Sequence, residues 1–104
     1  MPVVVQYRTK SDRADENQRL VEKVFAELAE RGPAGFRYIS LRLADGNSFV
    51  HIVVEEPTEN AASLADMPAF KEFVAGIADR CVEQPVASGA TVVGSYRFLG
   101  DVTP

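Results

Sequence analysis

His51 is the residue of this chain best suited to proton transfer, and it is the single histidine among 104 residues. An imidazole has an unperturbed pKa of about 6.5, so it can accept or donate a proton at neutral pH. In an enclosed cavity, His51 is predicted to deprotonate a phenol or a carbon acid. The competing interpretation is a histidine that hydrogen-bonds Ser40 and packs in an interface.

Three arginines are candidates to bind the anion that such a deprotonation forms. Guanidinium groups hold carboxylates, phenolates and enolates through paired hydrogen bonds. The strand phases predict that Arg8, Arg42 and Arg97 project to the same side as His51. Surface ion pairs are the competing role for each of the three, and such pairs are individually weak.

Aromatic residues near His51 are candidates for the wall of a ligand site. Tyr38 and Phe49 are predicted to line it, with Ser40 as a polar contact for the ligand. Rings in such positions can hold a small aromatic or hydrophobic molecule. They can equally form the core of a dimer.

The hairpin from Phe36 to Glu55 has to position these residues. Both arms alternate in polarity, and Asp45-Gly46 between them is typical of a tight turn. The turn places Ser40 opposite His51, and a slip of one residue would move every side chain to the other face. An aliphatic face carries Ile39, Leu41, Leu43, Val50, Ile52 and Val54. A mixed face carries Phe36, Tyr38, Ser40, Arg42, Phe49, His51, Val53 and Glu55.

Two helices and two more strands complete the predicted domain, which spans 1–104. The segments are a strand over 3–10, a helix from Ser11-Asp12 to about Arg31, a helix over about 67–83 and a last strand over 90–99. The order β-α-β-β-α-β predicts a ferredoxin-like α+β fold. Such a fold has a four-stranded antiparallel sheet with two helices on one face.

The two faces of the hairpin predict how the domain is covered. We expect the helices to pack on the aliphatic face, because it has the apolar continuity to meet their apolar stripes. The mixed face would then lie open, and monomers usually hide an aromatic patch of that kind. A homodimer is therefore predicted, related by a two-fold axis. Its interface would be the sheet face bearing Phe36, Tyr38, Phe49, His51 and Val53.

Composition argues against several other classes of protein. The net charge is −4 and basic residues are not clustered, so neither nucleic acid nor an anionic membrane is an expected partner. No apolar run is long enough to span a bilayer. The one cysteine, Cys81, excludes an internal disulfide and offers no metal-ligand spacing. The N-terminus does not resemble a signal peptide, and a cytoplasmic location is expected.

The element order, the aromatic-bearing sheet face and the stretch AASLADMPAFKEFVAGIADRC resemble the dimeric α/β-barrel superfamily. Within it, the chain is most similar to the antibiotic biosynthesis monooxygenase (ABM) domain, over nearly its whole length. In ABM-type members a histidine often precedes a run like Met67–Phe73, whereas Asp66 stands there in this chain. Some members also rely on a tryptophan, and this chain has none.

The resemblance implies a cofactor-independent monooxygenase, similar to quinol monooxygenases, that acts on a small aromatic or quinol-type molecule. In such enzymes the deprotonated substrate reacts with oxygen directly, so no metal, flavin or other cofactor is expected. One alternative is a non-catalytic homodimer that binds a small hydrophobic molecule or has a purely structural role. Another is an isomerase similar to muconolactone isomerase, which the same base could serve.

Overall fold

The computed structural model describes residues 2–33, 35–55 and 63–99. They form strands β1 (Pro2–Thr9), β2 (Phe36–Arg42), β3 (Ser48–Glu55) and β4 (Cys81–Gly89), and helices α1 (Ala14–Arg31), α2 (Pro68–Ala75) and α3 (Ile77–Arg80). The strands make one sheet in the order β2-β3-β1-β4, and all three neighbouring pairs are antiparallel. The predicted ferredoxin-like β-α-β-β-α-β fold is therefore confirmed.

The ends of α1 follow from its sequence. Asp15 and Glu16 lie in its first turn, where carboxylates interact favourably with the positive end of the helix dipole. Gly32 follows its last residue with φ of 54°, in the left-handed region that glycine adopts at no steric cost. The Gly32 N–H donates to the carbonyl of Leu28 at 2.8 Å. The helix thus stops where the sequence predicts.

The register of the hairpin is the predicted one. Ser40 pairs with His51, Leu41 with Val50 and Ile39 with Ile52. The Asp45 carboxylate holds the turn, because it accepts hydrogen bonds from the backbone N–H groups of Asn47 and Ser48 at 2.9 and 2.8 Å.

The last strand was predicted in the wrong place. β4 spans Cys81–Gly89, whereas the predicted strand over 90–99 is irregular in the structure, and the second helix ends at Arg80 instead of about residue 83. Pro85 lies inside β4 and has no backbone N–H to donate to the sheet. An edge strand tolerates this loss, and the β1–β4 register shifts near the proline. Segment 90–99 alternates like a strand but pairs with none of the strands in the described part of the chain.

The helices cover the mixed face, so the predicted assignment of the two faces was wrong. Phe49 and His51 are 3% and 4% exposed, and they pack with Tyr7 of β1 beneath the helices. Val21 and Val24, on the apolar side of α1, belong to the same buried core. The predicted dimer interface through the mixed face was therefore wrong, because Phe49 and His51 are buried by the helices of their own chain.

The aliphatic face is the open one. Leu41 and Leu43 are 41% and 44% exposed, and Val86 of β4 is 68% exposed. A shallow groove on this side contains Ile39 and Ile52, and its far wall is formed by residues 92–99. Within the described residues, no helix is long and apolar enough to cross a membrane.

Candidate active site

His51 lies at the centre of a hydroxyl cluster between the sheet and the helices. Its Nδ1 atom is 2.6 Å from the Tyr38 hydroxyl and 2.7 Å from Ser40 Oγ. Its Nε2 atom is 2.7 Å from the Tyr7 hydroxyl. β1, β2 and β3 each contribute to this cluster, because their paired positions on the mixed face bring these side chains side by side.

The polar contacts continue from Tyr7 into the helices. Asn17 of α1 donates from Nδ2 to the Tyr7 hydroxyl at 2.8 Å. Arg80, the last residue of α3, donates from Nε to Asn17 Oδ1 at 3.0 Å and from Nη2 to the Phe73 carbonyl at 2.6 Å. Asn17 is fully buried and Arg80 is 2% exposed. No buried side-chain nitrogen or oxygen in the described part of the chain lacks a partner.

Aromatic rings enclose the cluster. The His51 ring lies 5.4 Å, between centroids, from both Tyr7 and Phe73. Tyr7 stacks on Phe49 at 5.5 Å, and Tyr38 contacts Phe25 of α1 at 4.7 Å. Such packing excludes water from the imidazole and fixes its orientation.

Burial keeps the titratable groups of the cluster neutral. It lowers the pKa of His51 to about 4, because the charged imidazolium loses its hydration there. The same loss of hydration raises the pKa of the Tyr7 and Tyr38 hydroxyls. At pH 7 the cluster is thus a neutral imidazole surrounded by un-ionised hydroxyl groups.

A groove between α1 and β2 leads to the cluster. Its volume is about 410 Å³, and Ser40 and Phe49 line it together with Val21 and Phe25 of α1. Arg42 also lines this groove, where Nη1 binds Asp15 Oδ1 at 3.1 Å and Gln18 Oε1 at 2.6 Å. The guanidinium of Arg42 lies 5.6 Å from the centre of the Phe49 ring. Ser40 therefore connects the buried cluster with a space open to small molecules.

The predicted site residues fall into two groups. His51, Tyr38, Ser40, Phe49 and Arg42 lie together on the mixed face and along the groove. Two other predicted anion binders lie apart from them. Arg8 forms an ion pair with Glu83 at 2.9 Å, and Arg97 lies beyond β4 against the Tyr96 ring. Arg8 neighbours Tyr7 in β1 and so points to the opposite face, while Arg97 is not in a strand at all.

The sequence prediction missed Tyr7, Asn17, Phe73 and Arg80 as members of the site. Tyr7 shares one face of β1 with Val3 and Val5, and an apolar face of this kind predicts burial without indicating a polar role. Asn17 carried the better signal, since it lies among the apolar positions of α1 although asparagine is uncommon inside helices. The pairing of Asn17 with Arg80 joins residues 63 positions apart and has no local signature.

Comparison with solved structures places the fold among known proteins. A protein of Mycobacterium tuberculosis, Rv0793, has a TM-score of 0.71 and 14% identity, with 91% of this chain and 97% of that one covered. A structure named as an antibiotic biosynthesis monooxygenase has a TM-score of 0.65 and 17% identity, covering 89% and 98% of the two chains. The cofactor-independent oxygenase SnoaB of Streptomyces nogalater has a TM-score of 0.60 and 19% identity, covering 88% and 93%.

The chain therefore has the fold of antibiotic biosynthesis monooxygenases. All three identities are below 25%, so these comparisons show the fold alone. At that level the predicted resemblance is confirmed. No protein-family model matches the sequence, and no curated protein matches it. A shared fold does not determine function, which depends on the residues of the site.

Proposed function

We propose that the protein is a cofactor-independent monooxygenase that acts on a small aromatic or quinol-type molecule. The observation that supports this most is the placement of Ser40, which lines the groove between α1 and the sheet and is bound to His51. The fold shared with SnoaB, a cofactor-independent oxygenase, agrees with the proposal.

The reaction requires the substrate to become an anion. A quinol loses its O–H proton and becomes a phenolate with negative charge on ring carbon, whereas an activated CH₂ group loses a C–H proton and becomes an enolate. In both cases the electron-rich carbon reduces dioxygen and forms a C–O bond to it. For the CH₂ case, the peroxide anion takes up a proton and becomes a hydroperoxide, which loses water to give a ketone, so one oxygen atom enters the product and the other leaves as water. Hydroxyl donors at the groove stabilise the anion, as preorganised donors do in other enzymes.

The pKa of His51 defines its proposed role. With a pKa of about 4, the imidazole is too weak a base to retain the proton of a phenol at neutral pH. We therefore assign His51 to hydrogen bonding and Ser40 to contact with the substrate oxygen. Solvent water in the open groove accepts the proton. Arg42, at the same groove, supplies positive charge near the anion.

Oxygen uptake tests this function directly. A panel of quinols and anthrones is offered to the wild type and to Ser40→Ala, with Ser88→Ala as a matched control on the exposed part of β4. At least one substrate should cause oxygen consumption, and Ser40→Ala should slow it by about 100-fold, as the loss of one oxyanion donor does. Binding without uptake would favour a small-molecule-binding protein. Uptake that Ser40→Ala leaves unchanged would refute the proposed site.

The homodimer remains part of the proposal, with a different interface. The aliphatic face, with Leu41, Leu43 and Val86 exposed, is the apolar surface that a second copy would bury. Residues 92–99 lie along the same side and include Phe98 at 64% exposure. They would reach the partner in such an arrangement.

A further inference from the structure

We propose that Arg80, acting through Asn17 and Tyr7, holds His51 in the tautomer that carries its hydrogen on Nδ1. In this state the cluster donates hydrogen bonds toward the groove, and it selects a ligand with an anionic or strongly accepting oxygen. The tautomer follows from the geometry alone. The ligand class rests on the proposed function and deepens it.

Arg80 fixes the direction of the first hydrogen bond. A guanidinium has five N–H donors and no acceptor. Its Nη2 is bound to the Phe73 carbonyl at 2.6 Å, and its Cζ lies 5.4 Å from the centre of the Phe73 ring. Nε therefore points at Asn17, and the Asn17 atom facing it at 3.0 Å has to be the carbonyl oxygen. The reverse orientation of the amide would bring two donors together.

Asn17 then determines what Tyr7 can do. With Oδ1 turned to Arg80, the Nδ2 group faces Tyr7 and donates to its hydroxyl oxygen at 2.8 Å. Tyr7 has one hydrogen left to donate. Among the described residues, the second polar partner of this hydroxyl is His51 Nε2 at 2.7 Å. Nε2 is therefore the acceptor, and a neutral imidazole that accepts at Nε2 carries its hydrogen on Nδ1.

The other tautomer would leave a buried donor unpaired. If Nε2 carried the hydrogen, the Tyr7 oxygen would face two donors, and its own hydrogen would have no acceptor in the part of the chain that the structure describes. Tyr7 is 4% exposed, so water does not replace that partner. The cost of an unsatisfied buried hydroxyl corresponds to a preference on the order of tenfold or more for the Nδ1–H form.

The hydrogen bonds that start at Arg80 end in a donor on the side of His51 that faces the groove. Nδ1–H has two oxygen neighbours, Tyr38 and Ser40, at 2.6 and 2.7 Å. Each hydroxyl keeps its own hydrogen, and a bond between the two hydroxyls uses one of these at most. At least one hydrogen remains for a further acceptor, and Ser40 lines the groove. A phenolate or enolate oxygen is the matching ligand group.

Nuclear magnetic resonance can read the tautomer directly, because the chain has one histidine. A long-range ¹H–¹⁵N correlation spectrum at pH 7 distinguishes a ring nitrogen with hydrogen from one without. We expect Nδ1 to carry the hydrogen in the wild type by roughly tenfold or more. A spectrum with the hydrogen on Nε2, or an even mixture, would overturn the proposal without any variant.

Asn17→Asp should reverse the direction of the hydrogen bonds between Asn17, Tyr7 and His51. A carboxylate accepts from Arg80 and also from the Tyr7 hydroxyl, so the Tyr7 oxygen becomes free to accept from Nε2–H. The hydrogen of His51 should then move to Nε2. Asn47→Asp makes the same change in the hairpin turn, and it should leave the tautomer as in the wild type. A folded Asn17→Asp protein with an unchanged tautomer would contradict the role of Arg80 and Asn17.

Binding of 4-nitrophenol tests the ligand class separately, since its absorption reports ionisation. We expect the bound ligand to ionise at a lower pH than the free one, and the shift should shrink in Ser40→Ala. Equal affinity for the phenol and the phenolate would refute the selectivity. If oxygen uptake is absent but the tautomer and the phenolate shift are observed, the proposed function fails and this inference stands.

Discussion

Acidification should destabilise the protein through His51. Burial lowers the pKa of this imidazole from 6.5 to about 4, so the folded chain binds the proton more weakly than the unfolded chain does. The contribution to stability is therefore fully present above pH 6.5 and is lost as the pH falls toward 4. Between pH 7 and pH 5 the free energy of unfolding should fall by about 2 kcal/mol from this residue alone. For a domain of this size, that loss lowers Tm by roughly 8–16 °C.

Urea unfolding of the wild type and of His51→Gln at both pH values measures this contribution. Glu16 and Asp45 have pKa values held below their usual range by hydrogen bonds, and they titrate alike in both proteins. Only the wild type should show the extra loss of about 2 kcal/mol between pH 7 and pH 5. Parallel pH profiles, or titration of His51 near 6.5 in the folded protein, would refute the buried neutral imidazole on which the site depends.

Two further changes test the fold and the assembly. Gly32→Ala should lower the free energy of unfolding by about 1 kcal/mol in urea titrations, because φ of 54° is strained for alanine although its Cβ would have free space. Gly32→Asn should lower it less, since asparagine adopts the left-handed conformation more readily. Equal losses in the two variants would argue against the left-handed cap. Leu41→Lys on the aliphatic face should convert the proposed dimer into a monomer in sedimentation experiments, whereas Val74→Lys, a comparably exposed position on α2, should not; a wild type that sediments as a monomer at micromolar concentration would contradict the dimer.

The hairpin was predictable because its signals are local. Alternation fixes which residues share a face, and Asp45-Gly46 fixes how the arms pair, so the contact between Ser40 and His51 followed from the sequence. The C-terminal end of α1 was also predictable, since Gly32 acts within one helical turn. The start was predicted three residues early, because Ser11–Arg13 form a short 3₁₀ turn before α1 begins at Ala14. Short-range chemistry decides each of these features.

The last strand was missed because its position depends on a distant partner. Cys81–Gly89 contains a proline and several residues that are weak strand formers, and it becomes a strand by pairing with β1 across more than 70 residues. Segment 90–99 alternates more clearly than β4 does. Pattern alone favoured the wrong segment, because strand propensity depends strongly on context.

The choice of face was the deeper difficulty, and it also explains the site. The prediction assumed that helices cover the more apolar side of a sheet. The helices instead cover the side whose polar groups satisfy one another, from Arg80 through Asn17 and Tyr7 to His51. Burying a polar group costs little free energy when it keeps its hydrogen bonds. Leu41 and Val86 are exposed, so they do not contribute the free energy that burial of apolar surface provides. The chain therefore buries a set of hydrogen-bonded polar groups beneath its helices and leaves its most aliphatic sheet face exposed.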